Sequence, residues 1–238
     1  MRWKSIVREL ARRAGYDVLP YDLTHPLRRR MRLVADRKIS LLLDVGANSG
    51  QYAREMRQQG YAGRIVSFEP LQAACDGLRA QARRDGAWAC EQIALGDAPA
   101  FTTLHVAGNS WSSSLLPMLE AHSLAAPESR YLGSETIRVR TLDEVLPEVA
   151  PDDERIFLKV DTQGYEMRVL QGAEASLPRI ELVQLECSLR HLYDGDALLC
   201  DLIAWLAARS FSPVSIEPGF VDPRTGHQLQ ADLVFARS

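Results

Sequence analysis

The chain has 238 residues, 46% hydrophobic and 25% charged, with a formal net charge of −3 at pH 7. That length can bury a sizeable core and predicts one main domain, while the charge balance excludes a general nucleic-acid binder. No apolar run reaches about 18 residues, no secretory apolar stretch follows the charged start, and Cys75, Cys90, Cys187 and Cys200 are widely spaced without a C-x-x-C pair; this argues against a membrane span, a zinc knuckle and a disulfide scaffold, and fits a reducing cytoplasm.

Residues 1–40 hold eleven Lys or Arg against four Asp or Glu, a net of +7, which leaves −10 for the remainder. Trp3, Ile6, Val7, Leu10 and Ala14 fall on one helical face, with Lys4, Arg8, Arg12 and Arg13 around it. Arg28, Arg29, Arg30 and Arg32 form a second basic cluster. Such a segment suits peripheral contact with an anionic membrane at its inner surface, the gathering of an anionic substrate, or a helical cap packed on its own domain. We take 1–40 as a basic helical extension and 41–238 as the main domain.

From residue 41 onward, strand and helix patterns alternate. Strands are predicted at 41–45, 64–69, 92–95, 156–160 and 180–187, and helices at 71–84, 165–172 and 197–208. Residues 101–106 and 136–142 alternate like antiparallel strands around a polar segment, and 213–216 with 230–236 form a closing hairpin across the DPRTG turn. This is an α/β pattern: a mostly parallel sheet, helices on both faces, and one antiparallel strand at the C-terminus.

The stretch Leu41 to Gly50, LLLDVGANSG, carries the most information. A buried run ends in an acid, passes through glycine-spaced backbone and enters a helix bearing Tyr52 and Met56, with Gly60 placed to end it. Strand, glycine loop and helix in that order make a nucleotide-cofactor site. Gly46 and Gly50 permit close approach, and Asn48 tolerates a left-handed backbone. In the next strand, RIVSFEP, Glu69 stands where a carboxylate accepts hydrogen bonds from both hydroxyls of a ribose. A plain strand-to-helix turn and an exposed strand-end acid are the alternatives.

The segments DVGANSGQYA from Asp44, GRIVSFEP from Gly63, ALGD from Ala94, RTLDEV from Arg140, LKVDTQGYEMRVLQGA from Leu158, QLECS from Gln184 and DLVF from Asp232 resemble, in sequence and order, the FkbM family of S-adenosylmethionine-dependent methyltransferases. The resemblance covers roughly residues 41–236. It implies a Rossmann-like class I methyltransferase fold with seven strands, and O-methyl transfer to a sugar, glycolipid or glycosylated natural product. Asp44, Gly46, Asn48, Gly50, Tyr52, Glu69, Pro70, Leu95 and Asp161 are the expected cofactor contacts.

Asp44, Glu69, Asp97, Asp161 and Glu186 fall at or just beyond strand ends. A row of acids suits a cationic sulfonium better than a doubly phosphorylated nicotinamide cofactor, and no arginine in the DVGANSG loop meets a pyrophosphate. An NAD(P)-linked oxidoreductase and a noncatalytic cofactor- or glycan-binding module are the rival readings. Asp161 is the leading catalytic candidate: it can take the acceptor's proton, hold a divalent metal with Glu186, or serve as a structural carboxylate. Two such oxygen donors suit magnesium or manganese. His122, in the polar segment, and His191, five residues after Glu186, are the alternative bases. The NSWSSSL run from Asn109 offers hydroxyls and an aromatic face to a sugar, or is a turn with a packing tryptophan.

Overall fold

The computed structural model describes residues 2–150 and 153–238. Lys4, on the expected basic flank, has its side chain outside the described residues. The chain opens with two helices, α1 (Arg2–Arg13) and α2 (Pro26–Asp36). There follow β1 (Leu41–Val45), α3 (Gln51–Gln58), β2 (Arg64–Phe68), α4 (Gln72–Asp85), β3 (Trp88–Glu91), β4 (Ala94–Leu95) and β5 (Ala100–Ala107). Then come α5 (Glu120–Ala125), β6 (Tyr131–Arg140), α6 (Leu142–Val149), β7 (Ile156–Val160) and α7 (Glu166–Gln171). The chain closes with β8 (Ile180–Ser188), α8 (Leu199–Ala207), β9 (Phe211–Pro218) and β10 (Gln230–Arg237).

Seven strands form one sheet in the order β3-β2-β1-β7-β8-β10-β9. The pairs from β3 to β8 are parallel, and β10 lies antiparallel between β8 and β9. The mostly parallel sheet with an antiparallel C-terminal strand is the one expected from the sequence. Strand order reverses between β1 and β7, so a crevice opens beyond their carboxyl ends.

β1 is buried along its whole length because both of its faces are covered. Leu41, Leu43 and Val45 pack with Val145 and Leu146 of α6, Val169 and Leu170 of α7, and Leu202 and Leu206 of α8. Leu42 points the other way, to Val34 of α2, Met56 of α3 and Leu78 of α4. Thr141 and Glu144 cap α6 reciprocally.

One expectation needs correction. The third strand of the sheet is β3, four residues earlier than 92–95; Ala94 and Leu95 instead join a small sheet, β4-β6-β5, in which β5 and β6 pair antiparallel as predicted. Gly86 ends α4 in the left-handed region, and Trp88 turns inward, its indole N–H donating to Ser67 Oγ at 3.0 Å. In the N-terminal segment, α2 packs on the main body: Val34 and Arg30 are buried, and burying a valine contributes about 1.5–3 kcal/mol. Cys75 and Cys90 face each other with sulfurs 3.0 Å apart as free thiols.

Candidate active site

The glycine loop follows β1 and is shaped by contacts that allow little else. Gly46 has φ +73, and a Cβ there would meet the Asp161 carbonyl oxygen at 1.9 Å. Asn48 takes φ +46, the left-handed backbone expected of it. Gly50 (φ +79) lies against Trp88. Glu69, just past β2, receives the Asn48 N–H at 2.8 Å on Oε2 and the Leu71 N–H at 2.9 Å on Oε1. Burial pushes its carboxyl up to about 7, against the pull of these two donors. Asn48 Nδ2 also reaches Ser110 Oγ at 3.3 Å, tying the loop to the arm that follows β5.

A narrow slot of about 70 Å³ runs between these parts. Gly46, Asn48, Phe68, Glu69, Pro70 and Leu95 line it, with Leu104, Trp111, Ser113, Asp161, Gln163 and Tyr165 opposite. Tyr52 is not among its lining residues, and neither are Asp44 and Gly50. Asp44 is wholly buried beneath the loop, 3.1 Å from Lys159 Nζ and 3.4 Å from Ser67 Oγ.

The K-x-D-x-Q-G-Y-E segment builds the floor at the end of β7. Lys159 Nζ lies 3.1 Å from Asp44, 3.5 Å from Asp161 Oδ2 and 3.3 Å from the Gly46 carbonyl. Burial opposes its charge, but the carboxylates of Asp44 and Asp161 outweigh that and hold its pKa above the ordinary value. Gln163 sits in the left-handed region (φ +56) and acts as a hub. Its Nε2 donates to Asp161 Oδ1 at 2.9 Å and to Glu186 Oε2 at 2.7 Å, and its Oε1 accepts from the Tyr193 hydroxyl at 2.7 Å. Glu166 folds back to accept from the Thr162 N–H at 2.8 Å and the Gly164 N–H at 3.3 Å, a turn-holding carboxylate.

Two rows of polar side chains cross the α2/α3 face of the sheet. Ser67, Asp44, Lys159 and Gln184 are register neighbours on β2, β1, β7 and β8. One pleat further, Glu186, Asp232 and Glu217 are neighbours on β8, β10 and β9. Lys159, Gln184 and the second row floor a second cleft of about 490 Å³, walled by Arg30 of α2 and Tyr52 and Glu55 of α3. Arg30, only 6% exposed, pairs with Glu217 at 2.5 Å and Glu55 at 2.9 Å, and its guanidinium lies 5.1 Å from the Tyr52 ring centre. The Tyr52 hydroxyl donates to Gln184 at 2.7 Å. Arg30 Nε and Glu217 Oε1 are buried without a hydrogen-bond partner among the described residues. Burial and Asp161 push Asp232 up to about 6, against Lys159 and Arg30. Burial, then the charges of Asp161, Asp232 and Glu166, push Glu186 well above the carboxylate range.

The two clefts meet. Gly46, Asn48, Trp111, Asp161 and Gln163 line both. Sequence reasoning brought Asp161 to this junction and Glu186 to the second cleft, but passed over Arg30, Lys159, Gln163, Gln184, Glu217 and Asp232 as site residues. Their signal is a polar residue at alternate positions of otherwise apolar strands: Lys159 in IFLKV, Gln184 and Glu186 in LVQLE, Asp232 in ADLV.

The histidines fall elsewhere. His122 is 3% exposed, 5.2 Å from the Tyr193 ring and 5.4 Å from Phe220, and burial depresses its pKa to about 4. It lines neither cleft. His191 is exposed and held at 2.5 Å by Asp196, which raises its pKa; it too lines neither cleft. In the NSWSSSL run, Trp111 lines both clefts, while Asn109 and Ser112 close a local turn.

The metal expectation does not fit these residues. The space between Asp161 and Glu186 holds the Gln163 amide nitrogen, a donor that a cation repels. Among the described residues no three His, Cys, Asp or Glu side chains converge as metal ligands.

A methyltransferase FkbM from Methylobacillus flagellatus KT superposes with a TM-score of 0.52 at 15% identity, over 83% of this chain and 43% of that one. The chain thus spans less than half the length of that protein. An rRNA methylase from Streptococcus thermophilus superposes at 0.48 with 9% identity, over 92% and 99% of the two chains. A magnesium protoporphyrin IX methyltransferase from Synechocystis PCC 6803, solved with bound SAM, does so at 0.46 with 14% identity, over 99% and 97%. No curated protein sequence matches the chain. The sequence model of the methyltransferase FkbM domain matches residues 44–213, a span that takes in the glycine loop, Glu69, the Lys159–Glu166 segment and Glu186, and the chain belongs to the FkbM methyltransferase family.

Proposed function

We propose that this protein is an S-adenosylmethionine-dependent O-methyltransferase acting on a hydroxyl of a sugar, glycolipid or glycosylated natural product. The observation that carries the reading is the junction at Asp161. One carboxylate lines both a narrow slot beside the glycine loop and a polar cleft roomy enough for a sugar.

In the slot, Glu69 already holds two backbone donors and keeps further lone pairs for ribose hydroxyls. The apolar side chains of Phe68, Leu95 and Leu104 suit a base. The arm around 108–115 forms one wall of the slot through Ser110, Trp111, Ser113 and Leu115. That arm is held by short local bonds, such as Ser113 Oγ to the Ser110 carbonyl at 2.9 Å, and Trp111 is 66% exposed.

When bound, S-adenosylmethionine supplies a methyl group already activated for in-line displacement by its sulfonium. Transfer of that methyl group to the acceptor oxygen, with cleavage of the carbon–sulfur bond, would leave the hydroxyl proton to be taken by a carboxylate of this chain. Asp161 serves as that base; Lys159 Nζ lies 3.5 Å from its Oδ2 and Gln163 fixes its orientation. Tyr52, Gln184, Glu186 and Asp232 offer a polyhydroxyl acceptor a mixed set of donors and acceptors, which favours sugars over apolar substrates.

Calorimetry tests the cofactor: S-adenosylmethionine and S-adenosylhomocysteine should bind, and NAD should not. Mass spectrometry of the host's glycolipids and surface glycans, with and without the gene, tests the acceptor by the mass of an added methylene. Binding of NAD in place of S-adenosylmethionine would restore the oxidoreductase reading. Cofactor binding with no methylated product from any glycan would leave a binding module.

A further inference from the structure

The first helix exposes the face that a soluble helix normally hides. Trp3, Ile6, Val7 and Leu10 recur at i, i+3, i+4 and i+7 on one stripe of α1, and they are 65%, 57%, 44% and 60% exposed. None of the described side chains of α1 is buried. The apolar surface continues beyond the helix through Tyr16, Leu19, Tyr21 and Leu23, all more than half exposed. An exposed apolar stripe of this kind marks an interaction site.

Charge decides what covers it. Residues 1–14 carry five Lys or Arg and one Glu, and the 1–40 segment is +7 against −10 for the rest of the chain. Arg12 and Arg13 are exposed on the flanks of the stripe, in solvent-screened pairs with Asp17 and Glu9. The described residues of the chain leave the stripe largely exposed. A second copy presenting the same helix would bring two strongly basic segments together. An anionic bilayer matches both parts: acyl chains accept the stripe, and headgroups meet the arginines. The acidic remainder is repelled by the same surface, so contact is confined to the N-terminal end. At about 1.5 Å per residue, α1 is about 18 Å long, short of the roughly 30 Å hydrocarbon core, so it lies in the interface and does not cross it.

We propose that α1 is an in-plane anchor that docks this protein on an anionic lipid surface. The test is flotation of the full chain with phosphatidylglycerol–phosphatidylcholine vesicles and with pure phosphatidylcholine vesicles, at low and high salt. The intact protein should bind the anionic vesicles at least about tenfold better than the neutral ones, and release as salt rises. The double variant Ile6→Glu/Leu10→Glu should lose this binding while keeping the thermal transition and S-adenosylmethionine affinity of the parent, because both positions are exposed and line neither cleft. Arg12→Glu/Arg13→Glu should weaken binding to anionic vesicles alone. Equal binding to neutral vesicles, no flotation with either, or a dimer in light scattering that the Ile6→Glu/Leu10→Glu variant dissolves would overturn the proposal; the last would assign the stripe to a second copy.

Discussion

A methyl group on Gly46 would stand 1.9 Å from the carbonyl oxygen of Asp161. Their strands, β1 and β7, run side by side, and the Asp161 N–H donates to the Val45 carbonyl at 3.1 Å. The turn expected to seat the cofactor and the expected base are therefore one rigid unit, and displacing either moves the other. Gly46→Ala combines this backbone clash with a left-handed φ, which alone costs roughly 1–2 kcal/mol. S-adenosylmethionine affinity should fall more than about tenfold, or 1.4 kcal/mol, together with the melting temperature. Calorimetry and thermal unfolding on the same preparation check both; unchanged affinity would remove this loop from the cofactor site.

Glu69 makes a prediction in pH. Burial raises its pKa to about 7, so near neutrality a fraction of the protein holds it protonated. If the carboxylate is the form that grips ribose, S-adenosylmethionine affinity should rise with pH through about 7. Glu69→Ala should weaken binding by roughly 1.5–3 kcal/mol and abolish the pH dependence. Stability moves the other way. A carboxyl whose folded pKa lies above its unfolded value stabilises fully below about pH 4 and loses that contribution as pH rises through about 7. Glu69→Gln, neutral throughout, should flatten the denaturation midpoint across that window.

How far the sequence carries depends on what holds each part. β1, β2, β7 and β8 were legible nearly to the residue because parallel strands buried on both faces show as continuous apolar runs. β3 was misplaced because an edge strand with one inward residue, Trp88, leaves little periodic signal. The slot was legible because Gly46, Asn48 and Glu69 are close in sequence and fill known backbone roles. The second cleft was not: Arg30, Lys159, Gln184, Asp232 and Glu217 come from five elements, and only sheet register aligns them. His122 stood out as a lone histidine in a polar segment, but its aromatic surroundings, Tyr193 and Phe220, are distant in the chain.

Asp161 and Asp232 should separate in kinetics, once an acceptor has been found by mass spectrometry. Asp161→Asn keeps the shape and the Gln163 contact but not the basicity, and should lower turnover ~10²–10⁴-fold with cofactor affinity little changed. Asp232 has no hydrogen bond from the described residues, lines only the acceptor cleft, and is pushed up to about 6 by burial and by Asp161. If its ionised form binds the acceptor, the apparent acceptor affinity should improve as pH rises through about 6. Asp232→Asn should remove that limb and raise KM more than it lowers kcat. A loss of kcat in Asp232→Asn that matches the loss in Asp161→Asn would make Asp232 the base.

His122 should govern acid stability and not methyl transfer. Its ring is buried against Tyr193 and Phe220, with Nδ1 lacking a hydrogen-bond partner, and burial lowers its pKa from 6.5 to about 4. The unfolded chain therefore binds this proton more readily than the folded one between pH 6.5 and 4. Stability tied to the neutral ring is fully present above 6.5 and is lost as pH falls through 4. A shift of that size corresponds to roughly 3 kcal/mol at about 1.4 kcal/mol per pH unit. His122→Leu removes the titrating group and leaves no unpaired polar atom behind, so urea midpoints measured from pH 7.5 down to 4 should fall less steeply than in the parent. Turnover at pH 7.5 should stay within about threefold, since loss of a general base costs ~10²-fold or more. A hundredfold loss in a variant that keeps its fold and cofactor affinity would return His122 to the reaction, and would require the arm and α5 to rearrange when the acceptor binds.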